Sequence, residues 1–291
     1  MAHQGIGHST SRLRWSPPLL APAGTLCRMD DWRSYDRTAA TYERIHAPRF
    51  AEPARDLATL AGVAPGSSVL DVGTGTGIGA QVAQELGATA VGVDPSEGML
   101  DVARSARPDI EFLAAQAIDL PFADGRFDVV LGNFVLAHFA KVETALFDIM
   151  RVTRPGGVIG FTTWTDGRDA FTDTWLELVS SVVPDDLLAP TLDKAIPNHD
   201  RFTRRAAVEE VLLDAGLRHV RTEPKQYEWR YTRDEFVDGL TVWATGRFVR
   251  EMLGEDDWAS FLDRVRATFA ERFPDPLHDR RDILLAIGTK E

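Results

Sequence analysis

Residues 69–80 read VLDVGTGTGIGA, an apolar strand followed by a turn with glycine at every second position from 73 to 79. Glycine adopts positive φ easily and, having no Cβ, lets a ligand approach the backbone closely. We expect a helix to begin near Ile78, with free N–H groups and a positive dipole end that suit a phosphate or a carboxylate. Residues 75–80 also satisfy the dinucleotide pattern G-x-G-x-x-A, so this stretch alone does not decide which nucleotide is bound.

The sequence on both sides of this turn alternates between strand and helix. Strands are predicted over 69–72, 89–93, 110–113, 127–131 and 158–162, with helices over 78–86, 97–106 and 142–153. Short apolar strands separated by helices are typical of βαβ units and a buried parallel sheet. Two later strands, 219–231 and 283–289, extend the sheet to seven, with the last strand antiparallel. The predicted fold is α/β, a Rossmann-like doubly wound sheet whose helical insertions form a lid.

Four parts of the chain differ in pattern. They are a disordered arm or non-native start over 1–28, an N-terminal helical cap over 29–66, a cofactor-binding core over 67–164, and a C-terminal part over 165–291. In the cap we predict one helix from the spacing of Trp32 to Ile45 and a second short helix over 53–61. In the C-terminal part the insertions 165–200 and 232–278 supply the lid.

Local signals in the C-terminal part predict where its helices begin and end. The stretch 184–200 contains three prolines, and we expect it to be broken rather than regular. Thr203 is placed to cap a helix that ends near Ala215. Thr232 and Glu235 have the spacing of a capping box at the start of another helix.

Composition excludes several classes of partner. The net charge of −12, from 32 basic and 44 acidic residues, argues against nucleic acid or an anionic membrane surface. The single cysteine, Cys27, allows no disulfide framework or thiolate metal site within the chain, and the seven histidines lack metal-ligand spacing. No apolar run reaches the roughly 18–20 residues of a membrane span. We therefore expect a cytoplasmic protein without a metal.

Asp94 ends the second strand, 21 positions after Gly73. A carboxylate at this point can accept hydrogen bonds from both hydroxyl groups of a ribose. The alternative is an acidic residue that only complements the dipole of the following helix. NAD-binding and adenosylmethionine-binding proteins share this order of strand, glycine turn, helix, strand and acid.

The following segments separate these two classes. The stretches VGVDPSEGMLDVAR (91–104), LPFADGRFDVVLGNFVLAHF (120–139) and DIMRVTRPGGVIGFTTW (148–164) occur after the glycine turn in this order. Together they resemble the type-11 group of class I S-adenosylmethionine-dependent methyltransferases, over about residues 35–164. The resemblance implies S-adenosyl-L-methionine as cofactor and methyl transfer as reaction.

The resemblance also implies which residues surround the cofactor. Around its methionine end lie Asp71, Gly73, Thr74, Gly75 and Gly77, with Asn133, Phe134 and His138 after the fourth strand. Asp94 takes the ribose, and Pro95, Ser96 and Met99 lie beside it. At the adenine stand Gln116 and Ala117, where family members commonly read Gly-Asp-Ala, so this contact is uncharged here. Met99 alternatively packs in its own helix core. Tyr35 and Tyr42 either close the cofactor side or pack beneath the sheet.

No residue is assigned a firm catalytic role. His138 is a weak candidate for a general base, with a structural or cofactor-covering role as the preferred alternative. His199 is a second weak candidate that either contacts substrate or is merely exposed. Methyl transfer needs mainly positioning of the acceptor and exclusion of water, so no dedicated nucleophile or metal is required.

Aromatic residues concentrate in the C-terminal part, and ordinary core packing accounts for any one of them. As a set they favour an apolar or aromatic small molecule as methyl acceptor. The candidate substrate residues are Trp164, His199, Trp229 and Trp243. Two other functions stay open: a non-methylating relative that only binds a ligand, and an NAD-dependent oxidoreductase. The latter predicts a Tyr-x-x-x-Lys pair, which does not occur in the sequence.

Overall fold

The computed structural model describes residues 32–167 and 169–291, which contain one seven-stranded sheet. The predictions for residues 1–28, including Cys27, concern residues outside this part. The strands are β1 (Ser68–Val72), β2 (Thr89–Asp94), β3 (Glu111–Ala114), β4 (Phe127–Asn133), β5 (Thr153–Trp164), β6 (Arg218–Tyr231) and β7 (Leu277–Thr289). All seven predicted strands are present, and the predicted α/β fold is confirmed.

The strand order is β3-β2-β1-β4-β5-β7-β6. Strands β1 to β5 are parallel, whereas β7 lies antiparallel to both β5 and β6. After β3, at one edge of the sheet, the chain returns to the middle and forms β4 beside β1. The strand order therefore reverses between β1 and β4. Crevices at such a reversal, beyond the carboxyl ends of the strands, are where ligands bind in open α/β sheets.

Helices follow the strands in the predicted alternation. The α-helices are α1 (Ala39–Leu60), α2 (Ile78–Glu85), α3 (Glu97–Ala106), α4 (Val142–Val152), α5 (Ala170–Ser180), α6 (Asp185–Ala195), α7 (Arg205–Asp214), α8 (Arg233–Leu240), α9 (Ala244–Leu253) and α10 (Glu255–Arg272). Short 3₁₀ helices cover Trp32–Thr38 and Leu136–His138. None of the helices in the described ranges is both long enough and apolar enough to cross a membrane.

The N-terminal cap contains one long helix instead of the two predicted. Helix α1 runs without a break from Ala39 to Leu60, although Pro48 and Pro53 lie inside it. A proline in a helix interior costs about 3 kcal/mol, because it removes a hydrogen bond and its ring clashes with the preceding turn. Here Pro53 is itself buried, and Leu57 packs into the core beneath it. This packing outweighs the local preference for a break.

Two predictions in the C-terminal part were also wrong. The proline-rich stretch 184–200 contains α6, with Pro184 just before the helix and Pro190 inside it. A proline at the start of a helix loses no helical hydrogen bond, since the first N–H groups have no partner there. Thr203 does not cap α7; its hydroxyl donates to the carbonyl of Asp200, and Arg204 occupies the cap position. The capping box of Thr232 and Glu235 is confirmed.

Apolar side chains form three clusters. One face of the sheet is covered by α1, α2 and α3, and the other by α4 and α7. The third cluster lies among α5, α6, α8, α9 and α10, which we call the insertion layer. Its centre consists of buried aromatic side chains: Trp175, Phe236, Phe248, Trp258, Phe261 and Phe269. Most aromatic residues of the predicted lid therefore fill the lid's own core, as the packing alternative expects.

Candidate functional site

The glycine turn after β1 has a left-handed backbone that favours glycine. Gly73, Gly75 and Gly77 have φ of +67°, +56° and +97°. A Cβ on Gly73 would lie 2.3 Å from Cγ2 of Val135, and one on Gly77 would lie 2.6 Å from the ring of Phe112. The turn is therefore packed tightly at Gly73 and Gly77, whereas a Cβ on Gly75 would meet nothing closer than 3.7 Å.

Asp71 holds this turn in shape. Its Oδ2 accepts hydrogen bonds from the Thr74 hydroxyl at 2.6 Å and from the Ala80 N–H at 2.9 Å, which caps the start of α2. A Cβ on Gly79 would lie 2.6 Å from the same oxygen, so glycine is needed there to admit the carboxylate. Burial raises the pKa of Asp71 to about 6. The buried carboxyl group thus stabilises the turn through hydrogen bonds within it.

Asp94 joins the end of β2 to the glycine turn. Its Oδ2 accepts from the N–H of Gly75 and its Oδ1 accepts from the N–H of Ser96, both at 2.9 Å. Burial raises its pKa to about 6, against the lowering effect of these two hydrogen bonds. Each carboxylate oxygen carries two lone pairs, so each keeps one acceptor position for a ligand hydroxyl.

Ser96 and Asp36 close the turn between β2 and α3. Ser96, which follows Pro95, caps α3 by accepting from the N–H of Met99. Asp36, from the N-terminal cap, accepts from the Ser96 hydroxyl at 2.6 Å and from the N–H of Gly98 at 3.0 Å. Met99 is 3% exposed, which agrees with the alternative that it packs as helix core. Asp36 was not predicted; an acid placed to face a helix N-terminus is the signal that could have found it.

A cavity lies where the adenine is predicted. The N–H of Ala115 donates to the carbonyl of Asp94, which brings the chain after β3 next to the end of β2. Beside it is an open cavity of about 380 Å³, lined by Ala114, Ala115, Gln116, Ile118, Asp119 and Pro121. Gln116 therefore borders a space next to Asp94, whereas Ala117 packs toward the core.

Asn133 ties the end of β4 to its neighbours. Its Oδ1 accepts from the Thr162 hydroxyl at 2.6 Å, and its Nδ2 donates to the carbonyl of Phe50 at 3.4 Å. Phe134 follows in a left-handed conformation, with φ of +59°, which a non-glycine residue rarely adopts. Such backbone strain is concentrated at ligand sites and switch regions.

Tyr35 and Tyr42 lie at the carboxyl ends of the strands. The ring of Tyr42 is 3.7 Å from the Cβ position of Gly75, so Tyr42 covers the open side of the glycine turn. Burial raises the pKa of Tyr42. Tyr35 meets the ring of His138 edge-on, with centroids 6.3 Å apart. Of the two alternatives, the structure favours closure of the cofactor side.

His138 carries little basicity in this site. Burial lowers its pKa to about 4, and the charges of Arg247 and His199 act in the same direction. The imidazole is therefore neutral at pH 7 and a poor proton acceptor, which favours the covering role over the general base. The side chain of His199 is 65% exposed, and its Nδ1 lies 3.7 Å from Oδ1 of Asp200.

Two of the three predicted substrate tryptophans lie against an arginine that was not predicted. The guanidinium of Arg49, on α1, lies 4.5 Å from the ring centroid of Trp229 and 5.3 Å from that of Trp164. Arg49 also pairs with Asp279 at 3.2 Å. Trp243 precedes α9 and packs on the insertion layer. Substrate contact by these tryptophans stays a prediction.

Other side chains near the site could not be found from the sequence. Arg247 is buried against Tyr35, although it is 212 positions away along the chain.

Among the residues that the structure describes, no three His, Cys, Asp or Glu side chains are arranged to hold a metal.

Comparison with known families supports the resemblance. Residues 70–161 match a family model described as "Methyltransferase domain". This segment runs from β1 to β5 and includes the glycine turn, Asp94 and Asn133. The predicted recognition is confirmed for this segment.

Curated relatives match over part of the chain. Over 96 residues the chain is 45% identical to a demethylmenaquinone methyltransferase of Renibacterium salmoninarum, which is 33% of this chain and 40% of that protein. Over 146 residues it is 30% identical to a malonyl-[acyl-carrier protein] O-methyltransferase of Serratia marcescens, or 50% of this chain and 57% of that one. The chain thus spans about two fifths to somewhat over half the length of these relatives.

Solved structures share the fold more widely. A phosphoethanolamine N-methyltransferase of Haemonchus contortus, solved with S-adenosylhomocysteine, matches 88% of this chain and 59% of its own chain. The TM-score is 0.53 at 17% identity. At this identity the similarity concerns the fold alone.

Proposed function

We propose that this chain, whose segment 70–161 belongs to the methyltransferase domain family, is an S-adenosylmethionine-dependent methyltransferase that acts on an apolar or aromatic small molecule. The observation that carries the proposal is the carboxylate of Asp94. Two backbone N–H groups, of Gly75 and Ser96, hold it at the carboxyl end of β2. One acceptor position stays open on each oxygen, which suits the two hydroxyl groups of a ribose.

The residues around Asp94 fit the remaining parts of the cofactor. Backbone at Gly75 is open to close approach, and the first N–H groups of α2 suit the carboxylate of the methionine end. The cavity beside Gln116 is next to Asp94, because the N–H of Ala115, which lines it, donates to the carbonyl of Asp94, and a base attached to the ribose would enter it. When bound, S-adenosylmethionine supplies an electrophilic methyl group on a positively charged sulfur.

The chain's own residues would promote transfer by positioning and by excluding water. Tyr42 covers the glycine turn, and Tyr35 and His138 cover the end of β4. Holding the acceptor in line with the methyl group removes much of the entropic barrier, and enclosure keeps water away. The low pKa of His138 argues against proton abstraction by this residue. An acceptor that is already acidic or nucleophilic fits such a site best.

The acceptor class rests on two supports. Phe50, Phe134 and Trp164 form a contiguous aromatic group beside Asn133, with Phe134 and Trp164 stacked at 4.5 Å. Sites for small organic molecules are typically apolar and aromatic with a few polar groups. In addition, the name of the Renibacterium salmoninarum relative points to a ring-containing acceptor, demethylmenaquinone. We therefore infer an aromatic or quinone-like acceptor.

A calorimetric titration with S-adenosylhomocysteine, run in parallel with NAD, tests the cofactor. Beforehand, mass spectrometry of an unfolded sample checks for carried-over ligand. We expect micromolar binding of S-adenosylhomocysteine, weakened about 10- to 100-fold in Asp94→Asn, because a hydrogen bond to a charged group contributes about 1.5–3 kcal/mol. Asp101→Asn, an exposed acid on the next helix, is the matched control and should bind as the wild type does.

Two results would contradict the proposal. An empty, folded sample that ignores S-adenosylhomocysteine would remove the methyltransferase assignment, and binding of NAD in its place would favour the oxidoreductase. Binding without turnover of S-adenosylmethionine against a panel of phenols and hydroquinones would favour the non-methylating alternative.

A further inference from the structure

Three arginine side chains are buried in the described part of the chain, and one of them differs from the others. Arg49 pairs with Asp279, and Arg107 pairs with Glu43. Arg247, which is 7% exposed, has no carboxylate within 4.0 Å among the side chains that the structure describes. Within that set of side chains its buried positive charge has no counter-ion.

The guanidinium of Arg247 also uses few of its hydrogen-bond donors. Its Nη1 donates to the carbonyl of Val242, and its Nε is buried with no partner in the part of the chain that the structure describes. An arginine carries five N–H donors in a planar fork that matches a carboxylate. Burial of an unpaired charge is strongly unfavourable, so an arginine in this state is expected to meet an anion when the protein works.

Arg247 lies on the side of the molecule where the cofactor is proposed to bind. Its guanidinium carbon is 3.8 Å from the ring centroid of Tyr35, and the edge of that ring meets His138 directly after β4. The charge of Arg247 also helps to lower the pKa of His138, as expected for side chains that both lie against Tyr35. The open donors therefore belong to the crevice at the carboxyl ends of the strands.

We propose that Arg247 binds the carboxylate of a ligand held in this crevice. The inference deepens the proposed function and rests on it for the identity of the site. Two molecules can supply such a group: the cofactor, through the carboxylate of its methionine part, and a methyl acceptor that bears an acid. The chemistry recognised is the same, and Arg247 selects the ionised acid over its neutral analogue.

Paired ligands that differ in the carboxylate distinguish the two sources. S-adenosylhomocysteine is compared with 5′-methylthioadenosine, which lacks the amino-acid part, and 1-naphthoate is compared with 1-naphthamide. Calorimetry gives the four affinities for the wild type, Arg247→Gln, Arg247→Lys and Arg250→Gln. Arg250 lies on the same helix, is 41% exposed and pairs with Glu255, so it is the matched control.

In the wild type we expect the carboxylate member of one pair to bind more tightly. Arg247→Gln should reduce that preference 10- to 100-fold, Arg247→Lys should retain part of it, and Arg250→Gln should leave it unchanged. A loss confined to the adenosine pair assigns the cofactor carboxylate, and a loss confined to the naphthyl pair assigns the acceptor.

The inference would be overturned if the ratio of affinities within each ligand pair were the same in the wild type and in Arg247→Gln. It would also be overturned if Arg247→Gln and Arg247→Lys lowered the melting temperature and left these affinity ratios unchanged. The naphthyl pair is measured without cofactor. Failure of S-adenosylhomocysteine to bind the wild type would therefore count against the proposed function and leave the test of Arg247 intact.

Discussion

The backbone N–H of Gly75 donates to Oδ2 of Asp94 across 2.9 Å, so the glycine turn after β1 and the acid that ends β2 form one unit. The two residues are 19 positions apart and lie at the carboxyl ends of adjacent parallel strands. A ligand that binds to Oδ2 of Asp94 or to the N–H of Gly75 therefore contacts both the turn and the acid. The unit therefore couples the shape of the turn to the ionisation of Asp94.

Ligand binding should depend on pH through Asp94, whose pKa is raised to about 6. Above that pH the carboxylate is ionised and can accept both ribose hydroxyl groups; below it the acid is protonated and one acceptor position is lost. We expect the affinity for S-adenosylhomocysteine to fall as the pH decreases from 7 to 5, as measured by calorimetry. Asp94→Asn should bind weakly and with no change over this range, and a parallel fall in that variant would assign the effect elsewhere.

The same raised pKa has a consequence for stability in the absence of ligand. The folded protein binds a proton at Asp94 more tightly than the unfolded chain does, so this group favours folding more as the pH decreases from about 6 toward 4. The free energy of unfolding of the wild type, relative to Asp94→Asn, should therefore rise over this window. Urea titrations at several pH values measure it, and an opposite slope would show that the acid is not buried as described.

Gly77 should tolerate no side chain. Gly77→Ala would place a Cβ 2.6 Å from the ring of Phe112 at a φ of +97°. The left-handed backbone costs about 1–2 kcal/mol and the overpacking about 1–3 kcal/mol more. Gly62→Ala, with φ of +75° and nothing within 4 Å, is the control and should show the backbone cost alone. Urea unfolding compares the two, and equal losses would contradict the predicted clash.

The buried pair of Arg49 and Asp279 should be essential to stability. Their side chains are 6% and 1% exposed, so Asp279→Asn leaves a guanidinium charge enclosed among aromatic rings. Removing one partner of a buried pair costs about 3–5 kcal/mol. Glu177→Gln breaks an exposed pair with Arg272, whose attraction solvent screens, and should cost far less stability. Similar values for both variants would show that Arg49 is not confined as described.

His138 should remain neutral throughout the physiological range. With a pKa near 4, its imidazole takes up no proton between pH 8 and pH 5.5, and it becomes charged only on further acidification. The Cε1–H resonance of His138, assigned by comparison with His138→Gln, should stay constant between these values in an NMR titration. A midpoint near pH 6.5 would restore His138 as a candidate general base.

Sequence patterns predicted the sheet correctly because each pattern reports on local chemistry. Alternating glycines at 73–79 need positive φ, and an acid after the second apolar strand must lie at the strand's carboxyl end. The break predicted in α1 before Pro53 was wrong, because the low helix propensity of proline describes a helix without tertiary contacts. Burial of Pro53 and Leu57 against the sheet decided the outcome.

By itself, then, the sequence determined the α/β fold, the glycine turn and the position of Asp94, since the positions of the strands and the geometry of the turn follow from short-range periodicity and backbone sterics. Only the tertiary structure decided what surrounds Arg49 and Arg247. Asp279, which neutralises Arg49, lies 230 positions from it along the chain, and Tyr35, whose ring lies against the guanidinium of Arg247, is 212 positions from that arginine. No local pattern distinguishes a paired buried arginine from an unpaired one, because the difference lies in long-range contacts.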